Sequence, residues 1–112
     1  MKINIARESE YIPEWNDNES NDEPIKFFLR DLTTAERDGC ISLKVNEKGE
    51  SVIDPDYQKI FRRGVIRIEN LEVNDEKIKT AEMVLKTPGL WNLFLEVAGR
   101  ILLQNTEGLS KN

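Results

Sequence analysis

Leu90-Trp91-Asn92-Leu93-Phe94-Leu95-Glu96-Val97-Ala98-Gly99-Arg100-Ile101-Leu102-Leu103 is the stretch on which the reading of this chain turns. Its polar positions Asn92, Glu96 and Arg100 step by four, so on a helix they form one narrow stripe along which Glu96 can pair with Arg100. Leu90, Trp91, Leu93, Phe94, Leu95, Val97, Ala98, Ile101, Leu102 and Leu103 fill the remaining surface. A helix lying on one side of a sheet needs an apolar arc of roughly 100° or a little more. This one exceeds that. Either it is enclosed between layers or part of its face is kept for a partner. A charge-interrupted run of about 14 residues is too short to span a bilayer.

Upstream, Thr87 can cap this helix, which is expected over about 88–104, and Thr80 caps a shorter one over 81–86. Residues 65–73 read as a strand, Asn74-Asp75 as its turn and 76–79 as the returning strand. Asp54-Pro55 offers a capping acid before a proline suited to the first helical position, so a helix is expected near 55–63, with Gly64 stopping it. Cys40 to Val45 alternates Ile41, Leu43 and Val45, and Asn46-Glu47-Lys48-Gly49 turns it into a second strand at 50–53. Thr33 or Thr34 before Ala35-Glu36-Arg37-Asp38 is a helix start that Gly39 cuts short. Ile25 to Leu32 reads as a strand in which Phe28 breaks the alternation, so both faces are partly covered. Residues 2–6 form a weak strand candidate.

Alternating strands joined by short turns require antiparallel neighbours. The expected fold class is therefore α+β: a small antiparallel sheet from 25–32, 40–45, 50–53, 65–73 and 76–79, packed against about three helices, the C-terminal one long. The expected core is Phe27, Leu29, Ile41, Leu43, Ile60, Phe61, Ile66, Ile68, Leu90, Phe94, Val97 and Ile101. Residues 1–24 are read as an acidic N-terminal arm, 25–104 as a single domain and 105–112 as a flexible tail.

The 112 residues carry 16 Lys and Arg against 21 Asp and Glu, no His and one Cys, for a net charge of −5. The charge is uneven. Residues 1–25 hold two bases and seven acids, whereas 26–112 hold 14 of each sign. Pro13, Pro24 and the run Asn16-Asp17-Asn18-Glu19-Ser20-Asn21-Asp22-Glu23 give the arm the look of an exposed loop, with Tyr11, Ile12 and Trp15 as its docking points. Asn18-Glu19-Ser20 matches a glycosylation sequon, which is without meaning in a chain that reads as cytoplasmic.

Without His there is no imidazole base, no His-ligated metal and no Ser–His or Cys–His nucleophile. One Cys closes no intrachain disulfide and builds no Cys-rich zinc site, and Cys40 reads as a buried structural thiol. The acidic balance argues against nucleic acid. A calcium loop started at Asp17 would need Gly and Glu where Asp22 and Phe28 stand. Asp54 and Asp56 are more simply helix-terminal acids. Lys59, Arg62, Arg63 and Arg67 form the one basic cluster, suited to a helix C-terminus or to docking an acidic partner, including the chain's own arm. No catalytic, cofactor or metal residue is expected, and neither nucleic acid nor membrane is expected as a partner. A homo-oligomer stays open. The expected docking residues are Trp91, Leu95 and Leu102 on the last helix, offset from its core side, together with Trp15.

Two stretches together carry a family likeness. Tyr11-Ile12-Pro13-Glu14-Trp15-Asn16-Asp17-Asn18, then Pro24, an apolar strand and Leu32-Thr33-Thr34-Ala35-Glu36-Arg37, resembles the start of small tail assembly chaperones of long-tailed bacteriophages. Their pattern is a Pro-Glu-Trp-Asn-Gly-Asn loop, an acidic spacer, a strand and a Leu-Thr-x-x-Glu-Arg turn. The second half is similar over Val65 to Ile78, Thr80-Ala81-Glu82, Pro88-Gly89-Leu90 and the closing apolar helix. The chain departs at Asp17 and Asp75, where the pattern has Gly. The resemblance implies a non-catalytic chaperone in the host cytoplasm, absent from the virion, that coats the tape-measure protein and helps recruit tail-tube protein. In many phages a programmed frameshift also yields a longer version. The rival reading from the residues is a small acidic inhibitor or adaptor, whose acids should form a structured surface.

Overall fold

A computed structural model describes residues 1–3 and 8–110, with side chains as far as 104. Positions 4–6 of the strand expected at 2–6, and the end of the expected tail at 111–112, lie outside the described residues. The chain is α+β, with small antiparallel sheets, short helices and one long C-terminal helix.

Three strands make the central sheet: β1 (Ser9–Tyr11), β2 (Lys26–Leu29) and β5 (Val65–Glu69), with β2 in the middle and both pairs antiparallel. The hairpin β3 (Ile41–Val45) and β4 (Ser51–Pro55) forms a two-stranded sheet of its own, as does the ribbon β6 (Glu72–Val73) and β7 (Glu76–Lys77). The single sheet expected from the alternation is thus split into three. Each hairpin closes locally, and turn chemistry specifies only a strand's nearest neighbour. At β6–β7, Asn74 (φ 51°) and Asp75 (φ 67°) both adopt left-handed backbone, the combination a two-residue hairpin turn demands.

Around these pack α1 (Thr34–Cys40), α2 (Tyr57–Gly64), α3 (Ala81–Lys86) and α4 (Trp91–Ser110). Thr33 caps α1 in a reciprocal box with Glu36: its hydroxyl accepts from Glu36 N (3.2 Å) while the Glu36 carboxylate accepts from Thr33 N (3.0 Å). Gly39 lies inside the last turn of α1 and does not end it. Asp56, not Asp54, caps α2, accepting from Lys59 N at 3.1 Å. Asp54 and Pro55 remain in β4, where Asp54 pairs with Lys44 at 2.9 Å. Thr80 caps α3 as expected, whereas the Thr87 hydroxyl turns back to Met83 O (2.6 Å) and α4 begins only at Trp91. The backbone of α4 is helical to Ser110, beyond the expected end near Gln104.

Phe61 of α2 sits at the centre of the core. Its ring meets Phe27 of β2 at 6.1 Å and Phe94 of α4 edge-on at 5.2 Å. Leu29, Ile60, Ile68, Leu90, Val97 and Ile101 join them as expected, and Leu93 and Ala98 are buried as well. α2 crosses α4 closely because Gly64 has no side chain: a Cβ there would lie 2.6 Å from Ile101 Cδ1. Gly64 is therefore a packing residue within α2.

Three expected core residues lie elsewhere. Leu43 is exposed and Ile41 half-buried because their hairpin stands apart from the central sheet. Ile66 is exposed because the register slips between Phe28 and Leu29: Phe28 faces Arg67, Leu29 faces Val65, and Ile66 is the extra residue. A bulge reverses the inward and outward phase from that point. Phe28, half-buried on the other face, is covered by the Arg67 guanidinium 3.8 Å from its ring centre.

The arm is part of this architecture. β1 pairs with β2 along Ser9↔Leu29, Glu10↔Phe28 and Tyr11↔Phe27, and a pair of 3-10 turns follows at Trp15–Ser20. The exposed loop expected over 8–24 is corrected accordingly. Tyr11 and Trp15 dock, as their size and apolarity suggest, but it is the strand and two polar side chains that hold the arm in place.

Candidate functional site

The sequence offers two candidates for a site, the apolar side chains on α4 and the arm and the basic cluster Lys59, Arg62, Arg63 and Arg67, so geometry has to say which of them remain accessible. Trp91, at the first position of α4, is 64% exposed and tilts against Phe94 at 5.4 Å. Leu95, Leu102 and Trp15 are half-buried and packed against the core. The structure thus keeps one of the four expected docking residues well exposed and draws the others inward.

Glu96 holds Trp15. The expectation that it pairs with Arg100 gives way to a three-donor site: its carboxylate accepts from the Tyr11 hydroxyl (2.6 Å), Glu14 N (2.7 Å) and Trp15 N (3.0 Å). Burial first, and then the hydrogen bond to the adjacent carboxylate, push the Tyr11 phenol up from its ordinary value. Arg100 lies over the Tyr11 ring at 5.6 Å. The polar stripe of α4 is the seat of the arm, and the seated arm narrows the apolar surface left to a partner.

Asn18 secures the other end. It is 1% exposed; its amide donates to Pro13 O (2.9 Å) and Ile25 O (3.1 Å), and its oxygen accepts from Ile25 N (2.7 Å). Asn16 and Asp17 just before it are left-handed, at φ 54° and 57°. Asn tolerates that conformation because its short polar side chain can bond the backbone locally. Neither Glu96 nor Asn18 stands out in the sequence, where one reads as half of an i,i+4 pair and the other as a turn former.

Beside Trp91 an open groove of about 210 Å3 runs between the α3–α4 connection and α2, lined by Leu85, Pro88, Leu90, Trp91, Phe94 and Gln58. Gly89, at φ 91°, makes the bend that opens it. The lining mixes apolar side chains with polar groups, the Gln58 amide and Thr87 among them, which suits a partly apolar side chain presented by another polypeptide.

The basic cluster is dispersed over separate partners. Arg62 pairs with Glu82, Arg63 reaches Glu36 O (3.5 Å), and Lys59 donates to Gly39 O (3.1 Å). Arg67 meets Glu8 of the arm at 3.0 Å, which is the contact with the chain's own acids that the cluster suggested. Lys26 holds Glu10 at 3.3 Å. Cys40 is buried. Among the described residues, no group of three or more His, Cys, Asp and Glu is placed to hold a metal ion, and no helix is long and apolar enough to cross a membrane. Compared with known proteins, the chain matches no family model, no curated protein and no solved structure.

Proposed function

We propose that this chain is a non-catalytic protein-binding module, an assembly chaperone of the phage-tail type, that holds an apolar segment of a client in the groove beside Trp91. The observation that carries this is Trp91: a large aromatic left 64% exposed at the rim of a groove lined by Leu85, Leu90 and Phe94 together with Gln58 and Thr87. Trp is the residue most enriched among those that dominate binding energy at protein interfaces. Tape-measure protein, with tail-tube protein as a second partner, is the client that the likeness in sequence suggests. Asp17 and Asp75, the two positions where the chain departs from that pattern's Gly, both hold left-handed backbone, the conformation Gly serves best. This supports the likeness at the level of backbone shape.

The acidic-inhibitor reading asks for a structured acidic surface, and within the arm Ser9–Tyr11 and Trp15–Ser20 form a strand and a pair of 3-10 turns. Yet Glu8 and Glu10 are paired within the chain to Arg67 and Lys26, which favours an architectural use of those acids. The deciding experiment is co-expression with the tape-measure protein. The client is expected to remain soluble and to co-purify, and Trp91→Ser is expected to lose capture without lowering the melting temperature. If the two proteins neither co-purify nor alter each other's solubility, the chaperone reading fails.

A further inference from the structure

The hairpin β3–β4 has one apolar face that nothing among the described residues covers. Cross-strand partners share a face, so Leu43 with Ile53, Val45 with Ser51, and Ile41 with Pro55 line one side, while Ser42, Lys44, Val52 and Asp54 line the other. Leu43 and Val45 are 72% exposed and Ile53 65%; Ile41 and Pro55 at the base are half-buried. No third strand joins either edge among the described residues. The turn is well built, with Asn46 Oδ1 accepting from Lys48 N and Glu50 N, both at 2.9 Å, and Gly49 at φ 79°. The ribbon is therefore specified locally, although an isolated two-stranded hairpin is at best marginally stable in water and needs a covered face or further strands. The radius of gyration is 15.7 Å, against about 13 Å for a compact chain of this length.

We infer that this face is a self-association surface and that its occupant is a second copy of this chain, packed ribbon against ribbon about a two-fold axis. The charge pattern favours a second copy: Lys44 and Asp54 lie on the opposite face and pair with each other at 2.9 Å, so the face of Ile41, Leu43, Val45, Ser51, Ile53 and Pro55 carries no charge that an identical face would have to oppose. The exposed apolar area of Leu43, Val45 and Ile53 is roughly 350 Å2, the size of the largest patch on a typical monomer. Doubled, and extended by the base residues and strand edges, it approaches the roughly 1,000 Å2 at which specific interfaces begin. Four strands with a shared apolar face also meet the minimum for a stable β unit. The predicted dimer is weak, dissociating in the micromolar range.

Sedimentation equilibrium of the full chain from about 1 to 200 µM is expected to show the mean mass rising from one chain toward two. Leu43→Lys and Ile53→Lys put an ammonium on the apolar face and are expected to weaken association about tenfold or more, with circular dichroism and melting temperature unchanged. Val45→Lys, next to the turn, repeats the effect at a site remote from the body should either of those melt the ribbon. Trp91→Ser, which disables the proposed client groove, is expected to associate like wild type, so failure of the chaperone reading leaves this test intact. A wild-type chain that stays monomeric to about 200 µM overturns the inference, as do Lys variants that associate as tightly as wild type. A monomeric wild type whose Leu43→Lys variant loses client capture also overturns it, in favour of the client as occupant.

Discussion

Asn18 closes a loop with three hydrogen bonds to backbone groups of Pro13 and Ile25 while itself almost fully buried. Removing its amide strands two carbonyls and one N–H, and each unsatisfied buried group costs about 1–3 kcal/mol. Asn18→Ala is therefore expected to lower unfolding free energy in urea by about 2 kcal/mol or more. Glu36 works differently. Arg30 donates to both of its oxygens (2.9 and 2.6 Å) and Thr33 N to one, and these bonds, the arginine's above all, hold the carboxyl at about 2, well below the usual carboxylate range. A depressed folded-state value means stability that is present above the unfolded pKa and is lost as pH falls through the folded one. The stability difference between wild type and Glu36→Gln should thus be constant at neutral pH, shrink progressively below about pH 4.5 and be mostly lost by about pH 2. Thermal melts across that range check it; a difference that stays undiminished from neutral pH to about pH 2 means the side chain acts through something other than its charge.

Among elements, the crossing of α2 and α4 is decided by one missing methyl. Ile101 fills the space a Cβ at Gly64 would occupy, so Gly64→Ala overpacks the core and is expected to cost about 1–3 kcal/mol. Ile101→Val in the same chain removes part of the clash and should recover some of that loss, so the two changes are expected to be non-additive in denaturant unfolding. α4 is also where the arm is seated. Its polar stripe turned out to carry Glu96 into contact with residues more than 80 positions earlier in the chain, a pairing invisible to local spacing. The same limit applies to β3–β4: alternation gives the two strands, but the turn is one residue longer than expected, so that Val45 faces Ser51, and whether the apolar face meets the core depends on where the hairpin stands. At β5 the failure is smaller, since one extra residue in the ladder exchanges Ile66 for Val65 as the inward neighbour of Leu29.

At the scale of the whole molecule, the surface divides into a groove beside Trp91 and an apolar ribbon face, with a charge-balanced body between the acidic arm and the end of α4. Trp91→Ser should leave the melting temperature nearly unchanged because the ring is mostly solvent-exposed, whereas Leu93→Ser, fully buried two residues on, is expected to cost about 3 kcal/mol or more. Equal losses in a thermal melt would return Trp91 to the core. The chain's residues by themselves determined the α+β class, the helices and two of their four expected caps, Thr33 and Thr80, the hairpin positions and nine of the twelve expected core positions. They did so because capping, turn conformation and apolar periodicity act over a few residues and are written in neighbouring side chains. Only the tertiary structure decided that the sheet divides into three, that the acidic arm is a strand and a docked turn, and which apolar side chains stay outside. Those outcomes depend on contacts between distant segments, where one buried carboxamide, one carboxylate with three donors and one absent Cβ outweigh local preference.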